Sequence, residues 1–374
     1  MKKFLFAFLL FITLGKWVTS CGENSPIPAN PPSTEEEPSP SRPHPQPWVG
    51  GADISWYTEM AADGRKFYNA EGKEQSCPGL MKDLGLQAIR LRVWIEPSTP
   101  YHQLTDVVQK AIAAHEQKLD IMIDFHFSDF FADPSRQHTP PSWSQLSITE
   151  LTEAVSQHTR QVLTTLKTAG VNPRWVQIGN ETHNGMLWPT GQLWDEKGDR
   201  PGGWQRYVTL SNACHQVVKE VSPQAITIVH LNNAHEDHSW WLQRFKAEGG
   251  KFDMIGLSHY PQEAAYHSQD LSSWKTANDQ ALLQMKRLAN LFQVPIMICE
   301  TGVWNSSPEE GYQVLADFIQ RSRTLPHCAG VFYWEPQVYA DWKPAIYETL
   351  GWKSYHMGAF TSQGRPSVIL DAFR

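Results

Sequence analysis

Val294-Pro-Ile-Met-Ile-Cys-Glu300 is an apolar run that stops at a carboxylate. A strand that is apolar at nearly every position is buried on both faces, as in a parallel sheet covered by helices. Ile121-Met122-Ile123 reads the same way. Working outward from these, eight short strands are expected at 51–55, 88–94, 120–126, 174–180, 226–231, 252–258, 294–300 and 330–334. Apolar residues at helical spacing fill the gaps at 104–117, 148–169, 205–220, 279–291 and 309–323. Thr105-Asp106 is an N-cap candidate for the first of these helices, and Ser147 for the second, which runs out at Gly170. Strands and helices alternating eight times predict the α/β class and a single (β/α)8 TIM barrel. A doubly wound open sheet is the alternative. It would carry a glycine-rich phosphate turn after the first strand, and Gly51-Ala-Asp-Ile-Ser-Trp56 is not one.

Barrel chemistry sits at the carboxyl ends of the strands, and polar residues collect there. The strand ends carry Asp53 and Ser55, Arg90 and Arg92, Asp124 and His126, Asn180 and Glu181, His230, His259 and Tyr260, Glu300, and Trp334 and Glu335. Arg90 is expected to face inward, whereas one of the two arginines could simply extend to the rim. Glu181 and Glu300 stand out. Each ends an apolar run, and the fourth and seventh strands lie across a barrel mouth from each other, so the two side chains converge. A carboxyl pair about 5–5.5 Å apart is the requirement of retaining glycoside hydrolysis. One member stays protonated for the leaving oxygen while the other attacks the anomeric carbon.

The remaining composition bounds the alternatives. The chain has 374 residues, 41% of them hydrophobic and 19% charged, with a formal net charge of −7. Disorder and a small disulfide scaffold are excluded, and no basic footprint for nucleic acid is present. Sixteen tryptophans offer flat apolar faces with a donor on one edge, suited to core, interface or sugar rings. Cys77, Cys214, Cys299 and Cys328 show no framework spacing, and a buried free thiol is the reading for Cys299. His235-Glu-Asp-His238 has the look of a metal cluster, but a hydrogen-bonded loop is the preferred account. For Trp240-Trp241, core packing is preferred over a distal sugar platform.

The amino end reads as an address. Lys2 and Lys3 precede an apolar run over 4–14, too short to span a bilayer and suited to a signal peptide (1–20). Val18-Thr-Ser-Cys21 resembles a bacterial lipoprotein box, with Cys21 the lipidated residue; an ordinary secretory signal is the duller account. Residues 22–47 hold nine prolines and predict an extended tether. The folded domain is expected at 48–374, held to a membrane through Cys21. Glu23 hints at export to the outer membrane and cell surface.

Five ordered blocks resemble glycoside hydrolase clan A and, within it, family 53, the endo-β-1,4-galactanases. They are Gly51-Ala-Asp-Ile-Ser55; Leu91-Arg-Val-Trp-Ile-Glu-Pro97; Asp124-Phe-His-Phe-Ser-Asp-Phe-Phe-Ala-Asp-Pro134; Gln177-Ile-Gly-Asn-Glu181 with Asn184-Gly-Met-Leu-Trp-Pro189; and Ile298-Cys-Glu-Thr-Gly302 with Phe332-Tyr-Trp-Glu-Pro336. The resemblance implies Glu181 as acid/base, Glu300 as nucleophile and Arg90 as the residue that orients the nucleophile. It implies His126, His230 and His259 as pocket residues, Asn180 as the contact to the sugar 2-hydroxyl and Trp334 as a stacking platform. Asp53, Trp94, Trp188, Tyr260 and Trp304 are further candidates for substrate contact. Phe127 and Phe130-Phe131 replace residues that are often Tyr, Thr and Trp in relatives, and Ser258-His259-Tyr260 replaces a common Tyr-Tyr pair. Some relatives hold calcium in a long loop after the seventh strand. Here 303–310 is short and lacks an Asp cluster, so no metal or other cofactor is expected. The implied partner is a β-1,4-galactan polysaccharide, and a monomer is expected. Another clan A endo-glycanase (mannanase or xylanase) and a non-catalytic glycan-binding lipoprotein are the alternatives.

Overall fold

The structure is a computed structural model and describes residues 47–374; the expected signal peptide (1–20), Cys21 and nearly all of the proline-rich segment lie outside the described residues. Eight strands form a closed parallel barrel in chain order: β1 (Val49–Asp53), β2 (Ala88–Val93), β3 (Asp120–Phe125), β4 (Trp175–Ile178), β5 (Ile226–Leu231), β6 (Met254–His259), β7 (Ile296–Thr301) and β8 (Cys328–Trp334), with β1 pairing β8 to close the ring. All eight expected strands exist, each shifted by three residues or fewer at either end. Helices Leu104–Glu116, Ile148–Thr168, Gly203–Val221, Trp274–Phe292 and Pro308–Arg323 fill the predicted gaps.

Local chemistry explains the helix starts. Ser147 and Glu150 form a reciprocal capping box, each side chain bonding the other's backbone N–H. Gly170 follows with φ +80, the left-handed turn that ends this helix. The cap expected at Thr105-Asp106 falls within the first turn of the helix. Its first residue is Leu104, and the Asp106 carboxylate reaches back to the His102 N–H at 2.6 Å. The helix expected from 279 begins at Trp274, because Ser273 caps it by accepting from the Thr276 N–H.

Strand parity divides the core. Val49, Ala88, Met122, Trp175, Ile228, Met254, Met297 and Phe332 point inward and fill the lower barrel with apolar side chains. Their out-of-phase neighbours, such as Ile89, Leu91, Ile121, Ile123, Val229, Ile255 and Val331, pack under the helices. One step further along the same inward rows the residues turn polar: Asp53, Arg90, Asp124, Gln177, His230 and Ser258. The barrel is therefore a sealed apolar plug topped by a buried polar layer, and that layer is the floor of the site.

Candidate active site

Arg90 organises the floor. Its fully buried guanidinium donates from Nη1 to Asp53 Oδ2 at 2.7 Å and from Nη2 to Asp124 Oδ2, Asn180 Oδ1 and Glu300 Oε1, each at 2.8 Å; Nε reaches Gln177 Oε1 at 3.1 Å. A planar cation with five donors suits such a ring of acceptors, and a single-point ammonium would not. The acceptors are themselves held. Asp53 takes the N–H and hydroxyl of Ser55 at 2.9 and 2.6 Å. Asp124 takes His126 Nε2–H at 2.9 Å and Gln177 Nε2–H at 2.5 Å. His126 Nδ1 accepts from the Ala132 N–H at 3.0 Å and the Trp94 indole at 3.3 Å, which leaves its proton on the Asp124 side.

Both glutamates reach this floor by breaks in strand regularity. After β4 the chain turns through Gly179 at φ +78 and Glu181 at φ +46. A Cβ at Gly179 would stand 2.4 Å from the Thr182 methyl, so only glycine fits. Glu181 in the left-handed region is an uncommon posture for a non-glycine residue, which ten other described residues share, and here it aims the side chain that follows β4. Glu300 arrives differently. Met297 and Cys299 already face inward, and strict alternation would send Glu300 toward the helices. A register shift pairs Leu257 with Ile298 but Ser258 with Glu300, so the extra residue turns the carboxylate into the site.

The two carboxyl groups are close enough to act on each other, and their surroundings differ. Burial raises Glu181 to about 8, and Glu300 is the next largest cause; the Ser258 hydroxyl and the more distant Arg90 oppose the shift. Glu300 is also raised by burial, but Arg90 is the strongest influence against it, and the Tyr260 hydroxyl donates to its Oε2 at 3.0 Å. Glu181 is therefore the member that holds a proton near neutrality, and Glu300 the one that ionises first. His230 braces Glu181, with Nδ1 accepting from the Glu181 backbone N–H at 3.2 Å and Nε2 lying 3.0 Å from Ser258 Oγ. Burial holds the His230 ring neutral.

A cleft of about 850 Å3 opens beside Tyr260 and Trp334 and continues past Glu263, Tyr355 and His356. Trp334 is half-buried with its edge toward Tyr355, whose ring centre is 4.8 Å away. Trp304 is half-buried and donates its indole N–H to Glu263 Oε1 at 2.5 Å.

Of the residues singled out in the sequence, Glu181, Glu300, Arg90, Asp53, Asn180, His126, His230 and Tyr260 come together. Asp53, Arg90 and His126 form buried support beneath the cavity. Trp94 is buried behind them against His102 and Phe131. Trp188 commits its indole N–H to the Asn184 carbonyl at 2.8 Å. His259 does not face the site. It is the last residue of β6, out of phase with Ser258, and points into the helix layer, where Nε2 meets Asn278 Oδ1 at 2.9 Å and the ring packs on Phe318. Neither arginine extends to the rim, since Arg92 is as buried as Arg90 and pairs with Glu335.

Gln177, Ser258 and Tyr355 belong to the site without having been proposed for it. Gln177 and Ser258 sit on the inward parity of their strands, and a polar residue there was the available signal. Tyr355 lies in an irregular segment and gave none. All four described cysteines are buried free thiols. In the 235–238 segment His238 Nε2 bonds backbone carbonyls, 2.7 Å from Asn232 O, and Asp237 caps Ser239. Among the described residues no group of His, Cys, Asp and Glu is placed to hold a metal ion, and no helix is long and apolar enough to cross a membrane.

Known proteins resemble this chain over the whole barrel. A probable arabinogalactan endo-β-1,4-galactanase A of Neosartorya fischeri is 31% identical over 319 residues, which is 76% of this chain and 83% of that protein. An arabinogalactan endo-β-1,4-galactanase of Cellvibrio japonicus is 29% identical over 357 residues, covering 87% and 90% respectively. The GH53 catalytic domain from Ignisphaera aggregans superposes with a TM-score of 0.76 at 26% identity, over 90% of this chain and 98% of that one. The profile of glycosyl hydrolase family 53 matches residues 49–373, nearly the whole described barrel, and the chain belongs to that family of glycoside hydrolases.

Proposed function

We propose that the chain is an endo-β-1,4-galactanase that cuts internal β-1,4-galactosyl bonds of pectic galactan or type I arabinogalactan with retention of configuration. The observation that carries this reading is the unequal carboxyl pair: Glu181 raised to about 8 and Glu300 clamped by Arg90 and Tyr260, over one floor. In the first step the ionised Glu300 carboxylate bonds to the anomeric carbon while Glu181 gives its proton to the departing glycosidic oxygen. In the second, Glu181, now a base, takes a proton from water, and the water oxygen displaces Glu300 from the sugar. Arg90 and Tyr260 keep the nucleophile oriented and ionised. Ser258 and His230 position Glu181. Asn180, its amide donating to the Ala132 carbonyl at 2.8 Å, is the candidate contact for the 2-hydroxyl. The chemistry needs two carboxyl groups and water and calls for no cofactor.

The supporting relatives carry galactanase names and are matched over 83% and 90% of their own length. The export signal, lipidation at Cys21 and the proline-rich spacer would hold the enzyme at a bacterial outer membrane surface, where a polymer too large to import is met. The test is product analysis on linear galactan, mannan and xylan with wild type and Glu300→Ala. Short β-1,4-galactosides from galactan alone, with the first-formed product in the β configuration by proton NMR, are expected. Glu300→Ala is expected to lose about 10⁴-fold or more in turnover. Galactan binding without cleavage by the wild type would favour the glycan-binding alternative, and an α product would overturn retention. Cys21→Ser is expected to move the protein from the membrane to the soluble fraction.

A further inference from the structure

Trp240 and Trp241 are neighbours in sequence with opposite fates. Both lie on the helix Ser239–Ala247. Trp241 is fully buried, stacks on Phe245 and donates its indole N–H to the His183 carbonyl at 2.6 Å. Trp240 is 51% exposed, the only tryptophan among the exposed large hydrophobic side chains of the described residues. A single exposed apolar side chain needs no explanation, but Trp240 belongs to a set. Its ring centre lies 6.1 Å from that of the half-buried Trp194, with the planes inclined at 45°. The His183 ring completes a triangle with them, 5.3 Å from Trp194 and 6.0 Å from Trp240.

Polar contacts pin Trp194 and His183. The Asn184 side-chain amide grips the Trp194 peptide from both sides, accepting from its N–H at 2.9 Å and donating to its carbonyl at 3.1 Å. His183 Nδ1 meets Asn232 Oδ1 at 3.2 Å. His183 and Asn184 lie in the short 3-10 turn Thr182–Asn184 that Glu181 itself begins. The set is thus a continuation of the loop that carries the proton donor. It stands at the β4–β5 side of the mouth, and Trp334 at the end of β8 stands across the ring.

We infer that Trp240, Trp194 and His183 form a binding subsite for the sugar units on the leaving-group side of the scissile bond. This rests on the reading of Glu181 as acid/base. A proton donor stands beside the oxygen that departs, so a surface continuing from its own loop, away from Glu300, receives the departing chain. Indole faces take the C–H face of a pyranose. Linkage through the axial 4-hydroxyl of galactose kinks the chain, and two faces inclined to each other suit a kinked chain better than a flat ribbon.

The test compares linear galactan with an aryl β-1,4-galactobioside, whose leaving group is one aromatic ring in place of a galactosyl chain. Trp240→Ala and Trp194→Ala are expected to lower kcat/KM on galactan up to about tenfold more than on the aryl substrate. Trp240→Phe should recover most of the difference, and thermal unfolding checks that each variant is folded. Equal effects on the two substrates, or no effect on galactan, would overturn the subsite while leaving the galactanase reading intact. A wild type inert on both substrates would overturn both.

Discussion

Arg90 and Arg92 leave one strand two residues apart, both fully buried and both paired with carboxylates, yet they build different things. Arg90 binds five acceptors, and one of them, Glu300, also accepts from Tyr260 on the cleft wall. Arg92 binds Glu335 and lies 5.0 Å over the rings of both Trp56 and Phe131. Glu335 also takes the Trp56 N–H at 3.1 Å, and Lys110 with Asp106 backs the cluster. Asp53 stands between the two, 2.7 Å from Arg90 and 3.6 Å from Arg92. Burying an ion pair costs solvation that only good geometry and full hydrogen bonding offset. The Arg90 cluster meets that demand, whereas in the other the buried Arg92 Nε has no hydrogen-bond partner; both are buried, so burial alone does not identify a site. What separates them is contact with the cleft: Glu300 accepts from Tyr260, which lines it, and keeps 8% of its side chain exposed, whereas Glu335 is fully buried and its cluster joins β1, β2 and β8 where the barrel closes.

The sharpest way to break the comparison is at the acid partner of Glu300. Glu181→Gln is expected to lower kcat on galactan about 10²–10⁴-fold. Wild-type kcat/KM should fall as pH rises through about 8, where Glu181 loses its proton, and the variant's residual activity should lack that alkaline limb. The acidic limb belongs to Glu300 and should lie above the ordinary carboxylate range, because burial raises it. Stability gives an independent check on the same group. A carboxyl raised in the folded state favours folding while protonated. Relative to Glu181→Gln, the wild type should therefore lose stability as pH climbs from the ordinary value of 4.5 to about 8, as read by denaturant midpoints.

The two arginines can then be compared directly. Arg90→Lys keeps the charge but loses the fork, and about a 10²-fold loss of kcat per folded molecule is expected, as for the loss of one preorganised donor. Arg92→Lys should lower unfolding free energy by about 1–3 kcal/mol while kcat stays within about threefold of wild type. Equal loss of kcat in both would erase the distinction between the clusters. The smallest effect is expected at the surface: Arg160 and Glu220 pair with side chains 51% and 43% exposed, and Arg160→Ala should change stability by less than about 0.5 kcal/mol.

Much of this was legible before any coordinates. The apolar runs announced buried parallel strands, and Glu181 and Glu300 were visible because each closes such a run. His259 looked equally well placed at a strand end, and it is not in the site, because strand ends alternate between interior and helix layer. Gln177 and Ser258 were hidden for the converse reason: they are unremarked polar residues inside strands whose inward phase only the barrel reveals. Trp240 and Trp241 show the same limit on a helix, where one position of rotation moves an indole from the core to the surface.

By itself, the amino-acid order determined the eight-fold alternation and the delivery of one glutamate at each of two strand ends, because hydrophobic period and cap chemistry act over a few neighbouring residues. The tertiary structure alone decided which way those glutamates face. Alternation would have turned Glu300 outward, and the register shift opposite Ser258 brings it in. Glu181 is aimed by a left-handed turn made possible at Gly179. The unequal proton affinities likewise arise only when Arg90, Tyr260, Ser258 and His230, far apart in the chain, share one low-dielectric floor, since burial and Coulomb interaction depend on distance in space and not on position in sequence.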